Sequence, residues 1–279
     1  MDYDFRYEHF DSVYDFERAI NTRRTNPVFE DKESAFRKEE DFFGTEDYDE
    51  ANRLLTKGWN TEIGKMKKEL KSFSRTVKAV RVRHVKSVAG HAPCVPNAIR
   101  GVPKSMIAAK RDPAKKKERT AHLIFINDAN YLTSSENLMK SGMTVLKLAA
   151  MLDKTGMRTR IDIAPIMAVC DKSCYGCTVK VKDYRQTFNL SKVAYPIGHV
   201  SFFRRHGFRY LETMPGEINK NMRSGHGSSR RKTCNIMQAY LRDAVKSEGA
   251  FVIDFGDCMN ADFDCVKLAT NIGLELKEV

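Results

Sequence analysis

The chain has 279 residues, 42% of them hydrophobic and 30% charged, enough to fill a core and to solubilise a surface. No apolar run approaches the roughly eighteen residues of a membrane span, and the acidic, aromatic start MDYDFRYEHFD has no signal-peptide core, so the expectation is a cytoplasmic protein without a membrane partner. Seven irregularly spaced cysteines argue against a secreted disulfide framework and for reduced thiols.

Net charge is +12, and its distribution says more than its total. Residues 1–50 hold sixteen acidic and seven basic side chains, whereas residues 65–119 hold seventeen basic and three acidic ones. That asymmetry suits an acidic arm folded over a basic surface, or a basic face meeting nucleic acid or an acidic protein partner. A solvated lysine-rich loop is the plainer alternative.

In the acidic arm, Tyr3, Phe5, Tyr7 and Phe10 suggest a short strand, and Ser12 is placed to cap a helix over 13–21. So many aromatics point to an arm packed onto the body of the same chain. Thr45, followed by Glu46, Asp47, Asp49 and Glu50, reads as the N-cap of a helix carrying Ala51, Leu54 and Leu55 inward. After Gly58 and Trp59, a second helix over 60–72 places Ile63, Met66 and Leu70 on one face, with Lys65, Lys67, Lys68 and Lys71 elsewhere. The pair reads as a helical hairpin with lysines in solvent, or as a helix-turn-helix.

Residues 74–87 alternate Val77, Val80, Val82 and Val85 with basic residues, which suits an exposed or edge strand. Residues 90–106, with three prolines, read as an irregular loop. The densest basic run follows, with Lys110, Arg111, Lys115, Lys116, Lys117 and Arg119. It is either a linker or a phosphate-contacting segment.

From Arg119 the pattern changes to an apolar run over 122–126, a helix over 134–152 and a second apolar run over 161–169. Strand, helix, strand is a βαβ unit. Ligands of open α/β sheets collect at the carboxyl ends of strands, where Asp128 and Asn130 fall. This turn is a candidate ligand site, or its two residues simply cap the following helix. Strands over 161–169 and 178–184 make a hairpin whose polar turn carries Cys170, Cys174 and Cys177. Their C-x3-C-x2-C spacing suits an iron–sulfur cluster, zinc held with Cys234 or His226, or three free thiols. A mostly helical stretch over 191–213 breaks around Pro196-Ile197-Gly198, directs Phe202, Phe203, Phe208 and Leu211 inward, and directs Arg204, Arg205 and Arg209 outward. Residues 214–232 form a basic loop with Arg223, Arg230, Arg231 and Lys232. A helix over 233–247, a strand over 250–255 and a helix over 262–273 complete the chain.

This order resembles the von Willebrand factor A fold, a doubly wound sheet with an antiparallel edge hairpin, over residues 119–279. The resemblance implies a domain boundary at 118/119, behind an acidic arm and a basic helical segment. It also implies a metal motif Asp-x-Ser-x-Ser, which here reads Asp128, Asn130 and Leu132, with Asp254 or Asp257 offered after the fourth strand. The blocks GTEDYDEANRLLTKGW (44–59), VPNAIRGVPKSMI (95–107) and NLSKVAYPIGHVSFFRRHGFRYLET (189–213) resemble an uncharacterised family of phage and prophage proteins. That resemblance implies a host-cytoplasmic or virion-associated location and a phage or host complex as partner, but no activity.

No phosphate loop, nucleophile elbow or paired carboxylates stand out. The sequence therefore reads as a binding protein rather than an enzyme, contacting nucleic acid through Lys110–Arg119, Arg204, Arg205, Arg223 and Arg230–Lys232, with no cofactor expected. A protein adaptor using Asp128 and magnesium, and a zinc or iron–sulfur enzyme using the cysteines, are the alternatives.

Overall fold

The computed structural model describes residues 4–30, 33–74, 83–90, 92–110, 120–127, 133–154, 156–218, 220–224, 239–241 and 249–274. It is an α/β protein built on two sheets. The larger has five strands in the order β1-β7-β6-β5-β8, and the smaller has three in the order β2-β4-β3.

The acidic arm supplies β1 (Asp4–Phe10) and α1 (Val13–Thr22), whose first turn is capped by the Ser12 hydroxyl. Three short helices follow the arm: α2 (Glu40–Phe43), α3 (Tyr48–Lys57) and α4 (Asn60–Ser74). The N-cap of α3 is Asp47 rather than Thr45, because the Asp47 carboxylate accepts from Glu50 N at 2.7 Å while Thr45 is drawn into the core by Arg205. Gly58 turns the chain with φ 85°, and a Cβ there would lie 2.9 Å from the Ser191 carbonyl oxygen. Trp59, Ile63 and Met66 then enter the core, and Lys65, Lys67, Lys68 and Lys71 face solvent.

The central unit is β5 (Thr120–Ile126), α6 (Ser135–Lys154) and β6 (Arg158–Cys170), with β5 and β6 parallel. The chain reverses at Asp171-Lys172 into β7 (Ser173–Lys182), antiparallel to β6. The hairpin is present, but β1 lies parallel beside β7, so the hairpin is not the sheet edge. By the same pairing the first strand of the chain belongs to the same sheet as the strands of its second half.

Helix α7 (Leu190–Gly198) contains Pro196 and ends at His199, one residue beyond the expected break. A π-helical turn (Phe202–Gly207) continues into α8 (Phe208–Glu212). Strand β8 (Ala250–Ile253) pairs parallel with β5, and it is followed by α9 (Phe255–Asn260) and α10 (Cys265–Asn271). The helix expected over 262–273 is α10, opened by Asp264, and the additional short helix α9, opened by Asp254, precedes it.

One apolar cluster joins the odd-numbered face of β5 (Ala121, Leu123, Phe125) to helices α1, α4, α6, α7, α8, α9 and α10. Helix α6 meets α7 closely: a Cβ on Gly142 would stand 2.3 Å from the Ile197 carbonyl oxygen. The opposite sheet face carries a smaller cluster of Ile124, Ile126, Ala164, Met167, Val169, Cys174, Val252 and Leu241. Among the described residues this face is met by helical residues 239–241, where Tyr240 stacks on Phe5 with centroids 4.1 Å apart. Most of the described helices gather on one face of the sheet, and helical residues 239–241 lie on the other.

The smaller sheet stands apart from both clusters. It comprises β2 (Arg83–Ser87), β3 (Ala92–Pro93) and β4 (Met106–Lys110), with the short helix α5 (Val95–Ile99) between β3 and β4. The irregular loop expected over 90–106 is therefore organised.

Candidate functional site

The arginines expected on the surface are internal. Arg204 and Arg205 are 2% and 0% exposed, because the π-helical turn is covered on every side. Arg205 Nε donates to Thr45 Oγ1 at 2.6 Å, its Nη2 to the Thr45 carbonyl at 2.6 Å, and its Nη1 to the carbonyls of Ala35 and Arg37 at 2.8 and 3.1 Å. Arg204 donates to the carbonyls of Phe42 and Thr133 at 2.7 and 2.8 Å. Each guanidinium also lies over a ring, Phe42 at 4.1 Å and Phe43 at 4.4 Å. Arg209 is engaged too, donating to Thr25 and Glu33 at 3.0 and 2.8 Å. These three cations fasten the chain between residues 25 and 45 onto α8 and the π-helical turn. Arg204 and Arg205 therefore point into the protein, where the expectation had them outward.

The three cysteines do not form a cluster. They lie in strands rather than on the turn, and residues three apart on a strand face opposite sides of the sheet. Cys177 and Cys170 belong to the helix-covered cluster and Cys174 to the other. Burial pushes the Cys174 thiol up to about 11 and the Cys177 thiol well above its usual value. The strands thus divide the trio between the two faces of the sheet. Among the described residues no group of three or more His, Cys, Asp or Glu side chains could hold a metal ion.

Asp128 and Asn130 lie outside the described residues, as do Arg111, Lys115, Lys116, Lys117, Arg119, Arg230, Arg231 and Lys232. Lys110 ends β4, and Arg223 lies in a 3-10 turn over Lys220–Ser224. Asp254 and Asp257, offered as metal ligands, form a capping box: Asp257 N donates to Asp254 Oδ1 at 2.8 Å, and Asp254 N donates to Asp257 Oδ2 at 3.0 Å. His199 and His206 sit in the core. Burial lowers His206 to about 3 and His199 to about 4, so both are neutral at pH 7.

Two features were not singled out in the sequence. One is a polar chain crossing four strands on the face opposite most helices. His122 of β5 places Nε2 3.0 Å from Asp162 Oδ2, and both are almost fully buried. Arg160 donates to the two Asp162 oxygens at 3.0 and 2.7 Å and to His9 Nε2 at 3.4 Å. His9 Nδ1 lies 2.8 Å from Thr178 Oγ1, which also meets the Tyr7 hydroxyl. Burial alone would raise the Asp162 carboxyl, but hydrogen bonds from His122 and Arg160 outweigh it and hold the group below its usual range. The chain bonds β1, β7, β6 and β5 in register. It sits away from the carboxyl end of β5, where ligands of α/β sheets bind. Its chemistry is that of a lock between strands. The signal was a period of two, with Arg160 and Asp162, Tyr7 and His9, and Thr178 and Lys180 on alternate positions.

The second feature is the far end of the smaller sheet. The chain enters it at Arg83 and leaves at Lys110, which pair with each other, so the connection 88–105 lies at the opposite end. That connection is a built knob. Cys94 N donates to the Ser105 carbonyl at 2.7 Å, Asn97 Nδ2 to the Lys104 carbonyl at 3.1 Å, and Lys86 Nζ to Asn97 Oδ1 at 3.4 Å. Gly90 presses against β4, where a Cβ would lie 2.1 Å from the Ile107 carbonyl oxygen. Yet Ile99, Val88 and Val95 are 81%, 72% and 57% exposed, beside exposed Lys86, Arg100 and Lys104.

The family model described as Domain of unknown function (DUF7192) matches residues 5–276. The chain belongs to that family. The DUF7192 match runs from within β1 into the residues after α10, so it takes in both sheets, the polar chain and the knob. No curated protein and no solved structure matches the chain. No helix among the described residues is long and apolar enough to cross a membrane.

Proposed function

We propose that this DUF7192 protein binds nucleic acid through its smaller sheet and the basic residues in sequence around it. The observation that carries this reading is the segregation of charge. Residues 75–119 contain thirteen basic and two acidic side chains, a net of +11, which leaves +1 for the rest of the chain. The described part of that segment contributes nothing to either hydrophobic cluster. A nearly neutral remainder thus accompanies one strongly basic segment, on which Lys86, Arg100 and Lys104 are exposed. A polyanion is the partner that such a field attracts, with affinity gained by counterion release. Lys110, Arg111, Lys115–Lys117 and Arg119 belong to this interface, and Arg204 and Arg205 do not.

The test is fluorescence anisotropy with labelled nucleic acid across a salt series. Each phosphate contact contributes about 0.9 to the slope of log affinity against log salt. Replacing Lys86, Arg100, Lys104 and Lys115–Lys117 by glutamine should weaken binding strongly and flatten the slope. An unchanged affinity or slope in that variant would sink the reading.

A finer fold assignment belongs with this proposal. The order β7-β6-β5-β8, with only β6 and β7 antiparallel, supports a von Willebrand A-like sheet extended by β1. The likeness of the blocks 44–59, 95–107 and 189–213 to phage and prophage proteins supports a role in a phage-encoded complex, in the host cytoplasm or on the virion.

A further inference from the structure

We infer that the apolar knob of the smaller sheet wedges into duplex DNA and bends it; this rests on the nucleic-acid reading above and narrows it to one substrate class. Eight large hydrophobic side chains are exposed among the described residues, and four of them, Val88, Val95, Ile99 and Val102, fall within the knob. Single exposed apolar residues are ordinary, but a concentration at one end of a β-ribbon marks a contact surface. The tip is also stiff. Asn97 holds α5 through the Lys104 carbonyl, Val102 N returns to the Asn97 carbonyl at 3.0 Å, and β3 pairs with β4 through Ala92 and Pro93. A wedge must keep its shape against a stacked base step, and these bonds supply that.

Charge and residue type choose the occupant. Between residues 75 and 111 there is no acidic side chain, so the rim of the knob complements a polyanion. Residues 75–119 also contain no Phe, Tyr or Trp. Single-strand platforms stack bases on aromatic rings, which this projection does not offer. Aliphatic side chains between basic ones are instead the chemistry that enters a minor groove, parts two base pairs and kinks the duplex. The antiparallel β2–β4 ribbon carries the knob away from the chain entry point, so the tip meets the groove while the flanking cations meet phosphates.

The experiment uses the full chain and a short duplex carrying a donor and an acceptor dye at its ends. The natural protein should raise energy transfer, reporting a bend of about 20–90°. A variant with Val95→Ser and Ile99→Ser, both exposed and therefore foldable, should still bind the duplex with the same salt slope but return energy transfer to that of free DNA. Failure of the natural protein to bind any nucleic acid would remove the charge-based reading and this one together. Binding with no change in energy transfer would remove the wedge alone, as would an equal bend in the double variant. Preference for single strands over duplex would also overturn it. So would loss of binding to vesicles of anionic lipid, or of self-association, in the double variant with the DNA bend intact.

Discussion

Arg205 donates to both the hydroxyl and the carbonyl oxygen of Thr45, each at 2.6 Å, across 160 positions of sequence. This pair is the centre of a clamp by which the π-helical turn holds the 25–45 loop, and the loop in turn joins α1 to α3. Arg205→Ala would leave the carbonyls of Thr45 and Ala35 buried without that donor. Unmade buried hydrogen bonds cost about 1–3 kcal/mol each, so a loss of at least about 2 kcal/mol is expected in urea unfolding. Arg205→Lys keeps the charge but cannot form the planar fork, and it should recover only part of the loss. An Arg205→Ala protein as stable as the natural one would show that the clamp contributes nothing.

The histidines of the same region predict acid sensitivity. His206 lies 3.3 Å from the Tyr195 hydroxyl and 3.1 Å from Asn52 Oδ1, and burial lowers its pKa to about 3, while His199 falls to about 4. Their folded values lie below the ordinary unfolded value near 6.5, so the unfolded chain binds more protons between the two. Stability is therefore undiminished above about pH 6.5 and falls as pH drops through the window below it. At pH 5 the loss is about 2 kcal/mol for each histidine. Comparing urea unfolding at pH 7 and pH 5, His206→Gln should reduce the pH-dependent loss by about that amount. An identical pH-dependent loss in the variant would contradict the assignment.

Two helical glycines should respond with opposite signs. Gly64→Ala meets nothing within 4 Å on α4, so the substitution should stabilise by about 0.5–1 kcal/mol through backbone entropy. Gly142→Ala gains the same term but drives a methyl to within 2.3 Å of the Ile197 carbonyl oxygen. Overpacking against backbone costs about 1–3 kcal/mol or more, so the net change should be destabilising. Thermal unfolding of the two variants decides it, and a raised melting temperature for Gly142→Ala would mean that α6 and α7 separate easily.

The polar chain on the sheet makes a different forecast. Asp162→Ala removes the carboxylate shared by His122 and Arg160 and should cost about 3–5 kcal/mol. Replacing His122 and Asp162 together by leucine should restore part of that, because two apolar groups need no partner and Arg160, 24% exposed, can turn its charge to solvent. Since Asp162 titrates below its usual range, its contribution is complete above about pH 4 and fades as the pH falls further. A double variant no better than Asp162→Ala would argue that the chain does more than lock strands.

Local patterns were legible where one residue's neighbours in sequence decide its environment. The helices α1, α4 and α6, the β6–β7 hairpin and the segregation of charge all follow from periodicity, capping residues and composition, which act over a few positions. Arrangements that depend on distant partners were not legible. Arg204 and Arg205 read as solvent cations because nothing nearby announces the carbonyls of Phe42, Thr45 and Thr133 that absorb their donors. Cys170, Cys174 and Cys177 left a metal cluster open beside free thiols because spacing in sequence ignores which face of a strand each occupies. The loop over 90–106 read as irregular, yet Asn97 and β4 fold it into a knob. The tertiary structure alone decided that β1 closes the sheet beside β7, since an exposed strand edge pairs with whichever segment can reach it.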